Sequence, residues 1–258
     1  MQYIIYNKDV SENVFIALPA LGERKEMYEK LAERLPNYKI ISFDLPGHNG
    51  YLPEDVSIRN FTTNLHKQLK ELGIKKAHFM GNSIGAWIIQ DYYNLYPNDV
   101  DSLWLLDGGH FFEAKIASQP IELPITDRLE VITATIETLT KELSNPADSH
   151  FFKNYFIRNF TFQDNLYTHH ANEGIVNSLA KEIDTTNFCT DTFTIPTFIY
   201  ISEENYEYDK YKLYVSNFEK KHNLKAIIIN NSKHYLPLTN SKDVAELIQK
   251  QLNVMNTF

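Results

Sequence analysis

Short apolar runs rich in β-branched and aromatic residues alternate with longer amphipathic segments over the first 109 residues. Strands separated by helices in this way indicate βαβ units, which build a parallel sheet covered by helices on both faces. The chain is therefore predicted to be an α/β protein with a mostly parallel central sheet. The apolar runs are residues 13–19, 38–50, 77–83 and 100–109, and the amphipathic segments are residues 23–35, 57–73 and 84–97.

The alternation stops after Gly109 and returns near residue 191. The intervening residues carry little strand signal, and two segments, residues 126–143 and 171–183, have helical spacing. Strand-like runs then reappear at residues 195–205 and 224–235, each followed by a helical segment. We therefore expect a core made of residues 1–109 and 191–258, with a helical insertion at residues 110–190.

Composition narrows the function classes. A chain of 258 residues with 43% hydrophobic residues can bury a large core. The net charge of −8 argues against a nucleic-acid partner, and no apolar run is long enough to span a bilayer. The single cysteine, Cys189, excludes an intrachain disulfide. We expect a cytoplasmic protein with a small-molecule substrate and no membrane partner; the composition does not indicate an oligomeric state.

The segment GNSIG, residues 81–85, places Ser83 between two glycines, directly after a predicted strand and directly before a predicted helix. This context is typical of a nucleophilic serine on a sharp turn, where the glycines let the turn close. The N–H of Ile84 would point from the helix N-terminus toward a negative charge on the attacked carbonyl. The competing interpretation is a small residue in a tight turn.

A serine hydroxyl needs a base to remove its proton. Of the nine histidines, only His234 lies on a loop between a late buried strand and the last helix. This position predicts the base, although a surface histidine would look the same in the sequence. His48 in PGHNG is expected to order its own loop, with Asp44 as its partner. The adjacent His169 and His170 lack metal-ligand spacing, so neither a metal nor a cofactor is predicted.

These motifs together resemble the α/β-hydrolase superfamily over nearly the whole chain. The resemblance implies an oxyanion-hole loop at IALPALG, where Pro19 and Ala20 replace a common His-Gly pair and the N–H of Leu21 becomes the donor. It also implies that the insertion is a cap over the site. The insertion is dense in aromatic residues that would shape the substrate site or would form the cap's own core: Phe111, Phe112, Phe151 and Phe152.

The predicted triad departs from the superfamily pattern at its acid. Asn205 stands at the position where the superfamily often has an aspartate. An amide can orient an imidazole but cannot stabilise its positive charge. Asp107, at the end of an earlier strand, is the preferred substitute, and the adjacent Glu203 and Glu204 are the alternatives; a site without an acid is the third possibility.

The resemblance implies a serine hydrolase that cleaves an ester, a thioester or an amide of a partly apolar substrate through an acyl-enzyme. The superfamily also contains lyases and small-ligand receptors that keep the Ser–His pair, and the missing acid leaves this alternative open.

Overall fold

The computed structural model describes residues 1–110, 120–141 and 143–255. It contains a seven-stranded sheet in the spatial order β1-β3-β2-β4-β5-β9-β10 and a small sheet in the order β6-β8-β7. All neighbours in the large sheet are parallel except the edge strand β1, which pairs antiparallel with β3. The strands in chain order are β1 (Tyr3–Tyr6), β2 (Val14–Leu18), β3 (Lys39–Phe43), β4 (Ala77–Asn82), β5 (Val100–Leu106), β6 (Ile125–Thr126), β7 (Phe160–Gln163), β8 (Leu166–His169), β9 (Thr197–Ser202) and β10 (Ala226–Ile229).

Helices cover both faces of the large sheet and enclose two apolar clusters, one on each face. The central strand β2 is buried along its whole length, as its unbroken apolar run VFIAL predicts. The mostly parallel α/β architecture predicted from the alternation is confirmed. The helices are α1 (Glu29–Arg34), α2 (Ile58–Glu71), α3 (Ile84–Leu95), α4 (Leu129–Thr140), α5 (Ser149–Ile157), α6 (Glu173–Thr185), α7 (Glu203–Tyr206), α8 (Asp209–His222), α9 (Leu236–Thr239) and α10 (Ser241–Met255).

The insertion between β5 and β9 is not purely helical. Beside α4, α5 and α6 it contains the three-stranded antiparallel sheet of β6, β8 and β7. The β7–β8 hairpin turns at Asp164 and Asn165, whose φ angles of 52° and 62° suit a two-residue turn. The alternating β-forming residues on either side of this Asp-Asn pair carried the signal that the helical interpretation missed. That the insertion acts as a cap stays a prediction.

The parallel strands bring sequence-distant segments to one edge of the sheet. Ser83 follows β4, Asp107 follows β5, and His234 lies on the loop after β10. Residues at the carboxyl ends of parallel strands share one edge, where open α/β sheets place their sites. Within the three described ranges, no helix combines the length and the apolar character needed to cross a membrane.

Candidate active site

Ser83 sits at the junction of β4 and α3 with φ +52° and ψ −120°. A positive φ is unfavourable for a residue with a side chain, so the surrounding structure has to hold Ser83 in place. Its N–H donates to the carbonyl of Leu106 at 2.9 Å, which ties the turn to β5. The residue is half-buried, and its hydroxyl forms no hydrogen bond with any residue in the described ranges.

Three glycines make this turn sterically possible. A Cβ on Gly81 would lie 2.2 Å from the carbonyl carbon of Gly85, and one on Gly85 would lie 2.4 Å from the oxygen of Leu18. A Cβ on Gly108 would lie 2.4 Å from the carbonyl oxygen of Ser83 itself. Real Cβ contacts are longer than this, so each position requires glycine. The first two roles follow from the motif; Gly108 was missed, although the DGG turn that ends β5 marks it.

His234 is held by hydrogen bonds with three other segments. The Asn82 side chain donates to the His234 carbonyl oxygen at 3.0 Å, so the histidine loop is attached to the end of β4. The His234 N–H donates to Glu204 Oε2 at 3.0 Å. The imidazole Nδ1 lies 2.8 Å from Asp107 Oδ2. Because Nδ1 carries the proton that Asp107 accepts, Nε2 keeps a lone pair that can accept another proton.

Asp107 is the carboxylate that the structure brings to the imidazole. It is buried and accepts from the Ser202 N–H at 3.0 Å, from the Ser202 hydroxyl at 2.8 Å and from the Asn205 amide at 2.6 Å. Burial by itself raises the pKa of a carboxyl, but the hydrogen bond and the charge of His234, together with the bonds from Ser202, hold the pKa of Asp107 below its ordinary value. The carboxylate is therefore charged at neutral pH.

The other two carboxylates considered for the acid, Glu203 and Glu204, lie at the start of α7 and accept hydrogen bonds from backbone N–H groups. Glu204 accepts from the His234 N–H and pairs with Lys233 at 3.2 Å, and Glu203 accepts from the Asn231 N–H at 2.8 Å. Asn205 does reach the imidazole, with its Nδ2 3.1 Å from His234 Nδ1, but the same Nδ2 donates to Asp107. Asn205, at the position where the superfamily resemblance places the acid, thus donates to Asp107.

Residues 19–23, the loop predicted to form the oxyanion hole and called the oxyanion loop below, follow β2 at the same edge of the sheet. The N–H groups of Leu21 and Ile84 donate to no acceptor within the described part of the chain, which leaves both available to a ligand oxygen. Gly22 has φ +85°, a conformation that favours glycine.

Two histidines hold Gly22 from opposite sides. The Gly22 N–H donates to His48 Nε2 at 2.8 Å, and His170 Nε2 donates to the Gly22 carbonyl at 3.1 Å. His48 Nδ1 in turn donates to the Pro46 carbonyl at 2.9 Å, which fixes Nε2 as an acceptor. Burial lowers the pKa of His48 and, with the neighbouring His169, lowers that of His170 to about 2, so both rings are neutral. The expectation that His48 orders only its own loop was too narrow, and Asp44 instead contacts Lys25 and Asn49.

A cavity of about 380 Å³ runs from the oxyanion loop into the insertion. Leu21 lines it at one end, together with Tyr235, the residue after His234. The polar side chains of Glu23, Asn159 and His169 also line it. Most of the wall is apolar. Ile132, Ile136 and Leu139 of α4 and Phe156 of α5 supply much of this surface, and Ile121 before β6 and Phe160 of β7 add to it.

The aromatic residues expected to line this cavity lie elsewhere. Phe152 is buried in the core cluster and packs on Phe156 with ring centroids 4.5 Å apart. Phe151 lies against Lys30, whose ammonium is 5.4 Å from the ring centroid, beside a separate surface groove. Aromatic density cannot distinguish a cavity wall from the core beneath it. Of the two interpretations left open by the sequence, packing in a core fits Phe152, and neither residue lines this cavity. Phe111 and Phe112 lie outside the described residues.

No cluster of three or more potential metal ligands occurs in the part of the chain that the structure describes. His169 and His170 are adjacent in space as well as in sequence, with ring centroids 4.5 Å apart. Their nitrogens are engaged with backbone groups: His169 Nδ1 accepts from the Ala171 N–H, and His170 Nδ1 accepts from the Asn49 N–H.

Part of the chain is similar in sequence to known lipases. The chain is 32% identical over 114 residues to Lipase 1 of Psychrobacter immobilis and 30% identical over 97 residues to the human monoacylglycerol lipase ABHD6. These matches cover 43% and 35% of the chain but only 36% and 29% of the relatives. The chain thus spans about a third of the length of the curated relatives it matches.

Similarity in structure extends over nearly the whole chain. The enzyme E-2-(acetamidomethylene)succinate hydrolase superposes with a TM-score of 0.72 at 15% identity, covering 93% of this chain and 91% of that one. A thioesterase domain from the curacin biosynthetic pathway superposes with a TM-score of 0.71 at 15% identity, covering 93% and 92%. A family model described as alpha/beta hydrolase fold matches residues 13–227. The chain belongs to the α/β-hydrolase fold family.

Proposed function

We propose that this protein hydrolyses carboxylic esters through an acyl-enzyme on Ser83. The observation that carries the proposal is the 2.8 Å contact between His234 Nδ1 and the buried Asp107 carboxylate, at the same sheet edge as a serine with positive φ. A charged, buried acceptor fixes the imidazole tautomer and stabilises the imidazolium that forms when serine loses its proton. The acid missing at position 205 left a lyase or receptor function open; Asp107 at the imidazole favours hydrolysis.

The proposed reaction has two halves. Ser83 Oγ attacks the ester carbonyl carbon while His234 Nε2 takes the hydroxyl proton, and the N–H groups of Leu21 and Ile84 stabilise the oxyanion. The C–O bond to the leaving alcohol then breaks, and the alcohol takes the proton from His234. In the second half, water attacks the acyl group and gives its proton to His234. Serine leaves with that proton, and the carboxylic acid is released.

The comparisons support an ester as the bond that is cleaved. The two curated relatives are named as lipases, which act on esters, and one structural neighbour is named as a thioesterase domain. The apolar wall of the cavity favours a substrate with an apolar portion, and its volume suits a small acyl group. Esters are the proposed substrates; thioesters and amides are to be compared in the same assay.

The test uses p-nitrophenyl esters of increasing chain length and a fluorophosphonate probe. Ser83→Ala is expected to lower turnover by up to about a million-fold and to abolish labelling, because the variant lacks the nucleophile. Ser11→Ala, on an exposed residue between β1 and β2, is the matched control and is expected to keep both.

Two outcomes would contradict the proposal. Turnover above a tenth of wild type in Ser83→Ala, with contaminating esterases excluded, would mean that another group attacks the ester. Labelling of the wild type without turnover of any ester, thioester or amide would favour the lyase or receptor function instead.

A further inference from the structure

Glu23 is a buried carboxyl in the wall of the cavity that the hydrolytic mechanism does not use. It is 5% exposed and lies two residues after Leu21 on the oxyanion loop. Its Oε2 accepts from the Tyr155 hydroxyl at 2.6 Å, and the same hydroxyl accepts from the Arg24 N–H at 3.0 Å. The hydroxyl therefore has its proton committed to Glu23, and the carboxyl is fixed in direction.

No cation compensates this carboxyl within the described ranges. Its polar neighbours are the hydroxyl of Tyr155 and the side chain of Asn159, and the only charge that acts on it noticeably is the more distant one of His234. Burial raises its pKa to about 7, against the opposing effect of these neighbours. A carboxylate is costly to bury without a partner of opposite charge, so the cavity presents an acceptor that an added cation would stabilise.

Asn159 supplies a second acceptor at the same place. It is 2% exposed and lines the cavity, and its side chain lowers the pKa of Glu23, which places the two groups next to each other. The charged form of Glu23 only accepts, so the amide N–H of Asn159 is the group that favours it. Asn159 Oδ1 is buried and has no hydrogen-bond partner among the described residues. Buried polar atoms are rarely left unpaired, so this atom indicates a missing donor.

We propose that the cavity binds the ammonium group of an amine-bearing substrate, held between the Glu23 carboxylate and Asn159 Oδ1. An ammonium has three N–H donors and a positive charge, so it can satisfy both acceptors and compensate the buried carboxylate. A hydroxyl has one donor and no charge, so it cannot do both. The apolar wall formed by α4 and α5 would contact the carbon chain. This inference rests on the proposed ester hydrolysis only in taking the ligand to be the substrate.

The test measures binding first, because binding does not depend on turnover. Hexylamine and hexan-1-ol are titrated by calorimetry into the Ser83→Ala protein at pH 7. We expect hexylamine to bind at least 10-fold more tightly than hexan-1-ol, and Glu23→Gln in the same background to remove this advantage. Glu33→Gln, which removes an equal charge from the exposed side of α1, is the matched control and is expected to keep it.

The number of protons released on binding distinguishes a Glu23 carboxyl that contacts the amine from one that only supports the fold. With a pKa of about 7, Glu23 is partly protonated at pH 7, and a bound ammonium would stabilise its charged form. Hexylamine binding is therefore expected to release protons, measured by repeating the titration in buffers of different ionisation enthalpy. Equal binding of amine and alcohol, an amine advantage that survives in Glu23→Gln, or binding without proton release would each overturn the proposal.

Kinetic measurements then show where on the substrate the amino group has to lie. Methyl hexanoates with an amino group at carbon 2, 3 or 6 are compared with methyl hexanoate by their kcat/KM ratio. At least one amino ester is expected to be preferred 10-fold or more, and Glu23→Gln to lower that ratio at least 10-fold. Hydrolysis of methyl hexanoate without preference for any amino ester would overturn this inference and leave the esterase proposal standing. Absence of ester hydrolysis together with selective amine binding would overturn the esterase proposal and leave the amine site standing.

Discussion

The acid corner, formed by Asp107, Ser202 and Asn205, and the oxyanion loop are two regions of one site that are held in different ways. The acid corner is organised around a charge, because Asp107 accepts four hydrogen bonds, and His234 and Ser202 keep its pKa low. The oxyanion loop is organised around neutral rings, because His48 and His170 contact Gly22 with unprotonated imidazoles.

This difference gives the two regions different responses to acid. Asp107 keeps its charge until the pH falls below the ordinary range of a carboxyl. A protonated His48 would have no lone pair left for the Gly22 N–H. Because burial lowers the pKa of His48 and His170 in the folded protein, the stability that these neutral rings contribute is lost from about pH 6.5 downward, where the unfolded chain takes up their protons. The oxyanion loop is therefore expected to be the more acid-sensitive half of the site, and the four predictions below test the two halves against each other.

The largest effect is expected from Asp107→Asn. The substitution removes the charge that stabilises the imidazolium and leaves an amide of nearly the same shape, so turnover should fall by up to about 10,000-fold. Turnover of a p-nitrophenyl ester is the measurement, with circular dichroism to establish that the fold persists. Glu203→Gln and Glu204→Gln serve as controls and should stay within a few-fold of wild type. If Glu203→Gln or Glu204→Gln loses activity while Asp107→Asn keeps it, the acid of the triad lies after β9 rather than after β5.

The next effect is expected from His48→Leu. Without its acceptor the Gly22 N–H is left unpaired, and the loop that carries the Leu21 donor should shift. A misplaced oxyanion donor costs roughly 100-fold in kcat. His48→Gln offers a side-chain acceptor at a similar distance and should recover part of the loss. Equal kcat values for His48→Leu and wild type would show that Gly22 needs no support from this ring.

A third prediction concerns the pH dependence of stability. The folded pKa of His170 is about 2 and its ordinary value is 6.5, so the unfolded chain binds the proton more strongly. Stability from this group is complete above pH 6.5 and is lost as the pH falls toward the folded pKa. Between pH 6.5 and 5 the loss is about 2 kcal/mol.

Urea denaturation of wild type and His170→Gln at several pH values measures this loss. The variant should have a flatter dependence of unfolding free energy on pH over this interval. Parallel curves for the two proteins would mean that His170 is protonated in the folded state or that other groups dominate.

The smallest effect is expected from Asn205→Ala. Asn205 donates one of the hydrogen bonds to Asp107, while Ser202 supplies two others, so the carboxylate should stay in place. We expect turnover to fall by about 5-fold, measured with the same ester as for Asp107→Asn. A loss as large as that of Asp107→Asn would mean that the amide, rather than the carboxylate, orients the imidazole.

The fold and the positions of Ser83 and His234 were predictable because their signals are local. A strand, a glycine-flanked serine and a helix follow one another directly in the sequence, and His234 is set by its loop between a strand and a helix. Local signals did not show which residue is the acid of the triad. Four candidates end at the same sheet edge, and only the three-dimensional path of the turn after β5, with φ +48° at Asp107, selects one.

The contacts around the oxyanion loop could not be predicted for a different reason. His170 lies 148 residues from Gly22 along the chain, and nothing near either residue indicates the contact. The same holds for Tyr155 and Glu23, which are 132 residues apart. Side chains that meet only through the placement of the insertion leave no periodic pattern in the sequence.

The attachment of His234 to Asn82 and Asp107 also affects how the chain folds. These contacts join residues 152 and 127 positions apart, and β5 pairs with β9 only after the whole insertion has been bridged. Contacts of such separation close slowly, because the loop entropy is lost before any interaction compensates it. The two halves of the sheet can therefore gain secondary structure before the histidine loop docks. Recovery of hydrolysis during refolding should lag behind recovery of helix content, so activity would report completion of the sheet.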